Sequence, residues 1–89
     1  MIKRYKRSFY VDAIQFLNTP ENIQEIIAFI NLPISVDYTS QGVKLRIYGR
    51  EGKDLIANLN DYIFKYDDGS IDVMSEKNFR EIYEEVVEP

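Results

Sequence analysis

The sequence predicts an α+β domain: a small, strongly curled antiparallel sheet of about four to six strands, one packed helix and a short C-terminal helix. Three observations predict it. Apolar residues alternate with a period of two through most of the chain, as in Ile34, Val36, Tyr38 and then Val43, Leu45, Ile47. Only two stretches switch to helical spacing, Ile23 to Ile30 and Phe79 to Val86. Turn formers punctuate the chain at short intervals, with Pro20, Pro33, Gly42, Gly49, Gly52 and Gly69 bracketing elements of strand or short-helix length.

In chain order, Ser8 to Phe16 carries apolar groups on both faces (Phe9, Val11, Ala13 against Tyr10, Ile14, Phe16), which marks a central strand covered on two sides, with Asp12 and Gln15 meeting polar groups. Asn18-Thr19-Pro20-Glu21 is a helix start: Asn18 or Thr19 caps a free amide, Pro20 needs no donor in the first turn, and Glu21 complements the helix dipole. The stripe Ile23, Ile26, Ile27, Ile30, widened by Phe29, is expected to pack on a sheet face lined by Val11, Leu45 and Ile47, leaving Asn22, Gln24 and Glu25 in water. On that reading, Ile27→Ala removes roughly 2 to 5 kcal/mol. Pro33 ends the helix.

A strand from Ile34 to Thr39 turns at Ser40-Gln41-Gly42 into a hairpin partner, Val43 to Tyr48. After Gly49-Arg50-Glu51-Gly52, the segment Lys53 to Leu59 continues a meander. Tyr62 to Tyr66 and Ile71 to Val73 then flank Asp67-Asp68-Gly69-Ser70, whose Asp-Gly pair suits a tight turn. Ser75 caps a helix from Glu76 to about Tyr83. Tyr83 to Glu88 reads either as its continuation or as an edge strand blunted by Glu84, Glu85 and Glu88.

The 89 residues make one domain, 1–89, with a basic N-terminal arm at 1–7. With 45% hydrophobic and 13% aromatic residues the chain can build a core unaided. It has no cysteine and no histidine, which removes disulfides, a thiol nucleophile, the commonest metal ligand and the commonest general base. An enzyme is therefore not expected, and neither catalytic residues nor a metal or other cofactor are assigned. No apolar run approaches the ~18 residues of a spanning helix, and Met1 to Tyr10 lacks a signal-peptide core, so a soluble intracellular protein without membrane association is expected.

The net charge of −4 hides an asymmetry: residues 1–53 hold eight basic and five acidic side chains (+3), whereas residues 54–89 hold three basic and ten acidic ones (−7). One reading has the two halves packing together and neutralising each other. The other makes the acidic half a face for a basic protein partner. Lys3-Arg4-Tyr5-Lys6-Arg7 has the composition of a nucleic-acid contact, but the acidic remainder disfavours nucleic acid and favours a solvated end or packing against the acidic half. Asp67, Asp68 and Asp72 lack the spacing of a calcium loop and read as turn residues. Asp54 and Asp61 read as solvated strand-end charges, because so short a chain has little material for the walls of a sugar cleft. The candidate partner-binding residues are Tyr48, Tyr62, Tyr66, Asp67, Asp68, Glu84 and Glu85, amphipathic tyrosines beside carboxylates.

Val11-Asp12-Ala13-Ile14-Gln15-Phe16, then Asn22-Ile23-Gln24-Glu25-Ile26 with Phe29, then Asn60-Asp61-Tyr62-Ile63-Phe64-Lys65 leading to Gly69, and finally Phe79 and Tyr83-Glu84 resemble a group of small bacteriophage and prophage proteins with a Pro-Gly-Asp-Tyr-type motif. Leu59-Asn60 replaces the Pro-Gly of that pattern, and Ile71-Asp72-Val73 stands where the group has Glu-Phe-Tyr. The resemblance implies a compact phage accessory protein in the host cytoplasm and implies no catalytic residues. The expected function is binding, with inhibition, of a host protein; the alternative is a structural or assembly component that self-associates through a sheet edge or the tyrosine face.

Overall fold

A computed structural model describes residues 2–6 and 10–86. Among these residues the fold is mixed α+β, with eight strands in two antiparallel sheets, two α-helices and a short 3-10 turn (Arg50–Gly52): β1 (Lys3–Lys6), β2 (Tyr10–Gln15), α1 (Pro20–Ile30), β3 (Ile34–Thr39), β4 (Gly42–Ile47), β5 (Leu55–Asn58), β6 (Tyr62–Lys65), β7 (Ile71–Met74), α2 (Glu76–Ile82) and β8 (Glu84–Glu85). One sheet has five strands in the order β7-β6-β2-β1-β8; the other has three, β3-β4-β5. The start of the first expected strand at Ser8 and Phe9, the last residue of the basic segment, Arg7, and the far end of the acidic tail, Val87 and Glu88, lie outside the described residues.

β2 is central, as its two apolar faces require. It pairs with β1 on one side (Tyr5↔Val11) and β6 on the other (Ala13↔Phe64, Ile14↔Ile63). The period of two then divides its side chains between two cores. Ile14 and Phe16 join Ile63, Ile26, Phe29 and Ile30 of α1, and Leu45, Ile47 and Ala57 of the smaller sheet. Val11 and Ala13 join Tyr5, Tyr62, Phe64, Phe79 and Tyr83 on the opposite face. Val11 therefore does not share a surface with Leu45 and Ile47. Its odd position puts it across the sheet from Ile14.

The helix α1 starts where the sequence places it. The Thr19 hydroxyl accepts from the Asn22 amide at 3.1 Å, Pro20 opens the helix, and Asn31 closes it in the left-handed conformation, φ 54°, donating to the Ile27 carbonyl at 3.0 Å. Its buried side is rotated from the expected stripe. Asn22, Ile26, Phe29 and Ile30 are buried, while Ile27 is 46% exposed. The large ring of Phe29 takes the core position, and Asn22 earns burial by serving the chain that precedes the helix: its carboxamide oxygen accepts from the amides of Leu17 (2.8 Å) and Asn18 (3.2 Å), and its nitrogen donates to the Gln15 carbonyl (2.7 Å). Ile27 is thereby left on the flank, and the large destabilisation expected of its truncation does not follow from this geometry.

The meander is shorter than the alternation suggested. β3, β4 and β5 form it, and the chain then crosses into the larger sheet through Leu59-Asn60-Asp61. Asn60 stands at φ 75°, in the left-handed region that Gly, and after it Asn, enters most easily. The Asn60 amide donates to the Phe16 carbonyl (2.8 Å) and the Phe16 amide to the Asp61 carbonyl (2.9 Å), which tie this turn to the end of β2. Gly49 is required by a close approach: a Cβ there would lie 2.0 Å from the Lys53 carbonyl oxygen. At the C-terminus the helix and the edge strand are both present, α2 capped by Ser75 and followed directly by the two-residue β8.

Candidate functional site

The structure distributes the seven candidate partner-binding residues over three places. Tyr62 belongs to the interior, 5% exposed and stacked on Phe79 with ring centroids 4.4 Å apart. A tyrosine on a strand reads equally well as a surface or a core residue, and here the aromatic partners on β1 and α2 decide it. Tyr66 is half-buried, edge-on to Phe64 at 5.4 Å. Tyr48 is exposed, on the far face of the smaller sheet, its hydroxyl 3.1 Å from the Ser35 hydroxyl.

The carboxylates remain on the surface. Asp67 and Asp68 occupy the β6–β7 turn, and the Asp68 carboxylate accepts from the amide (2.8 Å) and hydroxyl (2.6 Å) of Ser70. Those two bonds hold its pKa below the usual Asp range, the hydroxyl contributing most. Glu84 and Glu85 form β8, paired with Lys6 and Tyr5 of β1. Asp67, which follows β6, and Glu84 of the edge strand β8 lie toward the same end of the five-stranded sheet, separated by roughly 14 Å across three strand spacings.

Lys3–Lys6 of the basic segment is thus a strand, laid between β2 and the acidic β8. Lys3 reaches Glu85 at 2.9 Å, and Arg4 reaches Asp12 at 3.1 Å. Internal balance between the two halves, one of the two readings of the asymmetry, operates at Lys3–Glu85 and at Arg46–Asp54 (3.6 Å), whereas Arg4–Asp12 lies within the basic half.

The side chains that do converge surround a groove of about 520 Å³ lined by Lys3, Tyr5, Gln15, Leu17, Tyr62, Arg80, Tyr83 and Glu85. Its floor is aromatic: Tyr5 meets Tyr62 edge-on at 5.7 Å and Phe79 edge-on at 4.7 Å, and Tyr83 stacks on Phe79 at 4.7 Å. The rim is polar and already internally bonded. Gln15 donates to Glu76 (2.7 Å) and to the Asn60 carbonyl (3.0 Å), and Arg80 contacts both Glu76 (3.3 Å) and the Tyr62 hydroxyl (3.4 Å). Burial pushes the Tyr5 hydroxyl well above the ordinary tyrosine range, with the Tyr62 hydroxyl and Glu85 adding to it. Tyr5 therefore holds its proton throughout the physiological range and acts as a hydrogen-bond donor. The contact with the Tyr62 hydroxyl, ahead of the Glu76 charge, also raises Arg80.

A second cavity of about 500 Å³ lies beyond the C-terminal end of α1, where Ile30, Leu32, Ile47, Leu55 and Ile71 form the walls and Arg50, Lys53 and Asp68 the mouth. Among the described residues, no group of three or more carboxylates is placed to hold a metal ion, and no helix is long and apolar enough to cross a membrane.

Sequence reasoning missed Tyr5 and Arg80. The signal for Tyr5 was present in the alternation of Lys3-Arg4-Tyr5-Lys6, which puts Lys3 and Tyr5 on one strand face, but four charges in seven residues masked it. Arg80 stands one turn from Glu76, an ordinary surface pairing until the β6 tyrosine beneath it is known. No protein-family model, no curated protein and no solved structure matches the chain.

Proposed function

We propose that this protein is a non-enzymatic phage accessory protein that docks on a basic surface of a host protein in the host cytoplasm and thereby inhibits it. The observation that carries the reading is the state of the charges in the acidic half. Asp67, Glu81 and Glu84 are exposed and make no ion pair among the described residues; of the three cations of that half, Lys65 turns to the Phe29 carbonyl, Arg80 to Glu76, and Lys77 alone is likewise exposed without an ion pair among the described residues. An excess of carboxylate is left facing water, and such a field steers a basic partner over about 8 to 10 Å at moderate salt. Tyr66, half-buried beside Asp67, and Tyr48 supply amphipathic contacts; Tyr62 and Glu85 support the surface from the core and from the Lys3 pair. The phage and host setting rests on the sequence resemblance. The experiment compares the parent with a triple variant, Asp67→Asn, Glu81→Gln and Glu84→Gln, as bait in bacterial lysate. A protein captured by the parent at low salt, released as salt rises and lost to the equally stable variant supports the reading. Equal capture by both overturns it.

A further inference from the structure

The free edges of the two sheets are treated unequally. β8 is two glutamates long, and β5 and β7 run alongside one another where the sheets adjoin. β3 is different: six residues, paired only with β4, without lysine, proline or bulge within it, and ending beside Tyr38, which is 78% exposed. Among the described residues it is the longest edge strand, and the charge of Asp37 on its outer face is the single blunting device within it.

Which of its groups are free follows from the register. The Tyr48 amide donates to the Pro33 carbonyl at 2.9 Å, and Thr39 faces Gly42 across the two-residue turn Ser40-Gln41. Hydrogen-bonded pairs alternate along an antiparallel ladder, so Ser35, Asp37 and Thr39 point their amides and carbonyls at β4. Ile34, Val36 and Tyr38 point theirs outward.

We propose that β3 pairs antiparallel with β3 of a second copy of this chain about a two-fold axis through Val36, joining the two three-stranded sheets into one of six strands. In this register Val36 faces Val36 of the second copy and Ile34 faces its Tyr38, each pair exchanging two main-chain hydrogen bonds from the outward-pointing groups. The inner face becomes continuous: Tyr38, bare in the single chain, covers the half-buried Ile34 of the second copy. On the outer face no like charges stand directly opposite: Asp37 of one copy faces Ser35 of the other, while Lys44 and Arg46 turn away from the seam toward Asn58 and Asp54. No other register of this edge keeps inner face against inner face while matching all three outward residues.

Of the residues given to the docking surface only Tyr48 touches this edge, through its hydroxyl at Ser35, so neutralising Asp67, Glu81 and Glu84 leaves the edge intact and the two readings fail independently. The chain has no cysteine, which permits a register-specific test. Ser35 of one copy and Asp37 of the other form a non-hydrogen-bonded pair with Cα atoms about 4.5 Å apart, within disulfide reach, while Ser35–Ser35 and Asp37–Asp37 lie about 8 Å apart, outside it. Sedimentation of the full chain at up to about 1 mM should give twice its 10.5 kDa mass, and Tyr38→Lys, whose exposed site spares folding, should weaken dimerisation at least about tenfold. Oxidation should cross-link a mixture of Ser35→Cys and Asp37→Cys chains and neither alone. A monomeric parent, a Tyr38→Lys chain that dimerises as the parent does, or cross-linking of either cysteine variant with itself as readily as in the mixture would each overturn the proposal.

Discussion

The two faces of the five-stranded sheet are covered by unlike material. On one side lie α1 and the three-stranded sheet, and the core there is chiefly aliphatic: Ile14, Ile26, Ile30, Leu45, Ile47 and Ile63 around the rings of Phe16 and Phe29. On the other, a helix of seven residues and its C-terminal extension close a core built from Tyr5, Tyr62, Phe64, Phe79 and Tyr83. The aliphatic side is closed by apolar bulk from two layers. The aromatic side has far less chain to cover it and compensates with large rings whose hydroxyls reach a polar rim, so that Tyr5, Arg80, Glu76 and Glu85 are part of what seals it. Two strategies for covering a sheet thus meet in one small domain. The side with the thinner cover is the one whose stability depends on protonation.

The comparison breaks first at Phe79, which is fully buried and contacts four other rings. Phe79→Ala should cost about 3 to 5 kcal/mol in chemical denaturation, a large part of the stability of so small a domain, and Ile26→Ala on the opposite side about 2 to 5 kcal/mol. Ile27→Ala, one residue along from Ile26, should cost about 1 kcal/mol or less, since the side chain is nearly half exposed. Equal losses at Ile26 and Ile27 would show that the helix has a different face toward the sheet.

Asn22 comes next. Asn22→Ala deprives the Leu17 and Asn18 amides of their acceptor and the Gln15 carbonyl of a donor, and the loss should be about 1 to 3 kcal/mol. Asn22→Leu should do no better, because the bonds and not the volume hold that position.

The aromatic side should also respond to alkali. The Tyr5 pKa is raised in the folded chain above its unfolded value of about 10, so the stability it contributes is fully present below that pH and declines as pH rises above it. Stability measured against pH should therefore fall above pH ~10 in the parent, and more gently in Tyr5→Phe. Absorbance of tyrosinate should show a late-ionising tyrosine in the parent that is missing from Tyr5→Phe. The smallest effect belongs to Asp68: its depressed pKa gives a contribution present above the ordinary Asp range and lost as pH falls through its own lower value, which the Asp68 carboxyl shift in an NMR titration reports directly.

Much of this arrangement is legible in the sequence, because the strong signals are local. The Thr19-Pro20 start of α1, the Ser75 cap, the Ser40-Gln41 hairpin and the central position of β2 each follow from residues within a few positions of one another. The losses are nonlocal. Ile27 and Phe29 compete for one helix face, and only the shape of the opposing core settles which is buried. The break between β5 and β6 depends on Asn60 being held by Phe16, more than forty residues earlier. Tyr62 could be read as a surface residue until Tyr5 and Phe79 were placed around it, and the Lys3–Lys6 strand gains its place from pairing with the opposite end of the chain.

The claim on which the rest depends is that β2 divides its side chains between two separate cores. Nuclear Overhauser contacts from selectively labelled Val11 and Ile14 methyls test it most directly. Val11 should show cross-peaks to the ring protons of the Tyr5, Tyr62, Phe64, Phe79 and Tyr83 cluster, and Ile14 to side chains of the Ile26, Phe29, Leu45 and Ile47 cluster, with no exchange between the two sets. Contacts from Val11 to Ile26, Leu45 or Ile47 would contradict it.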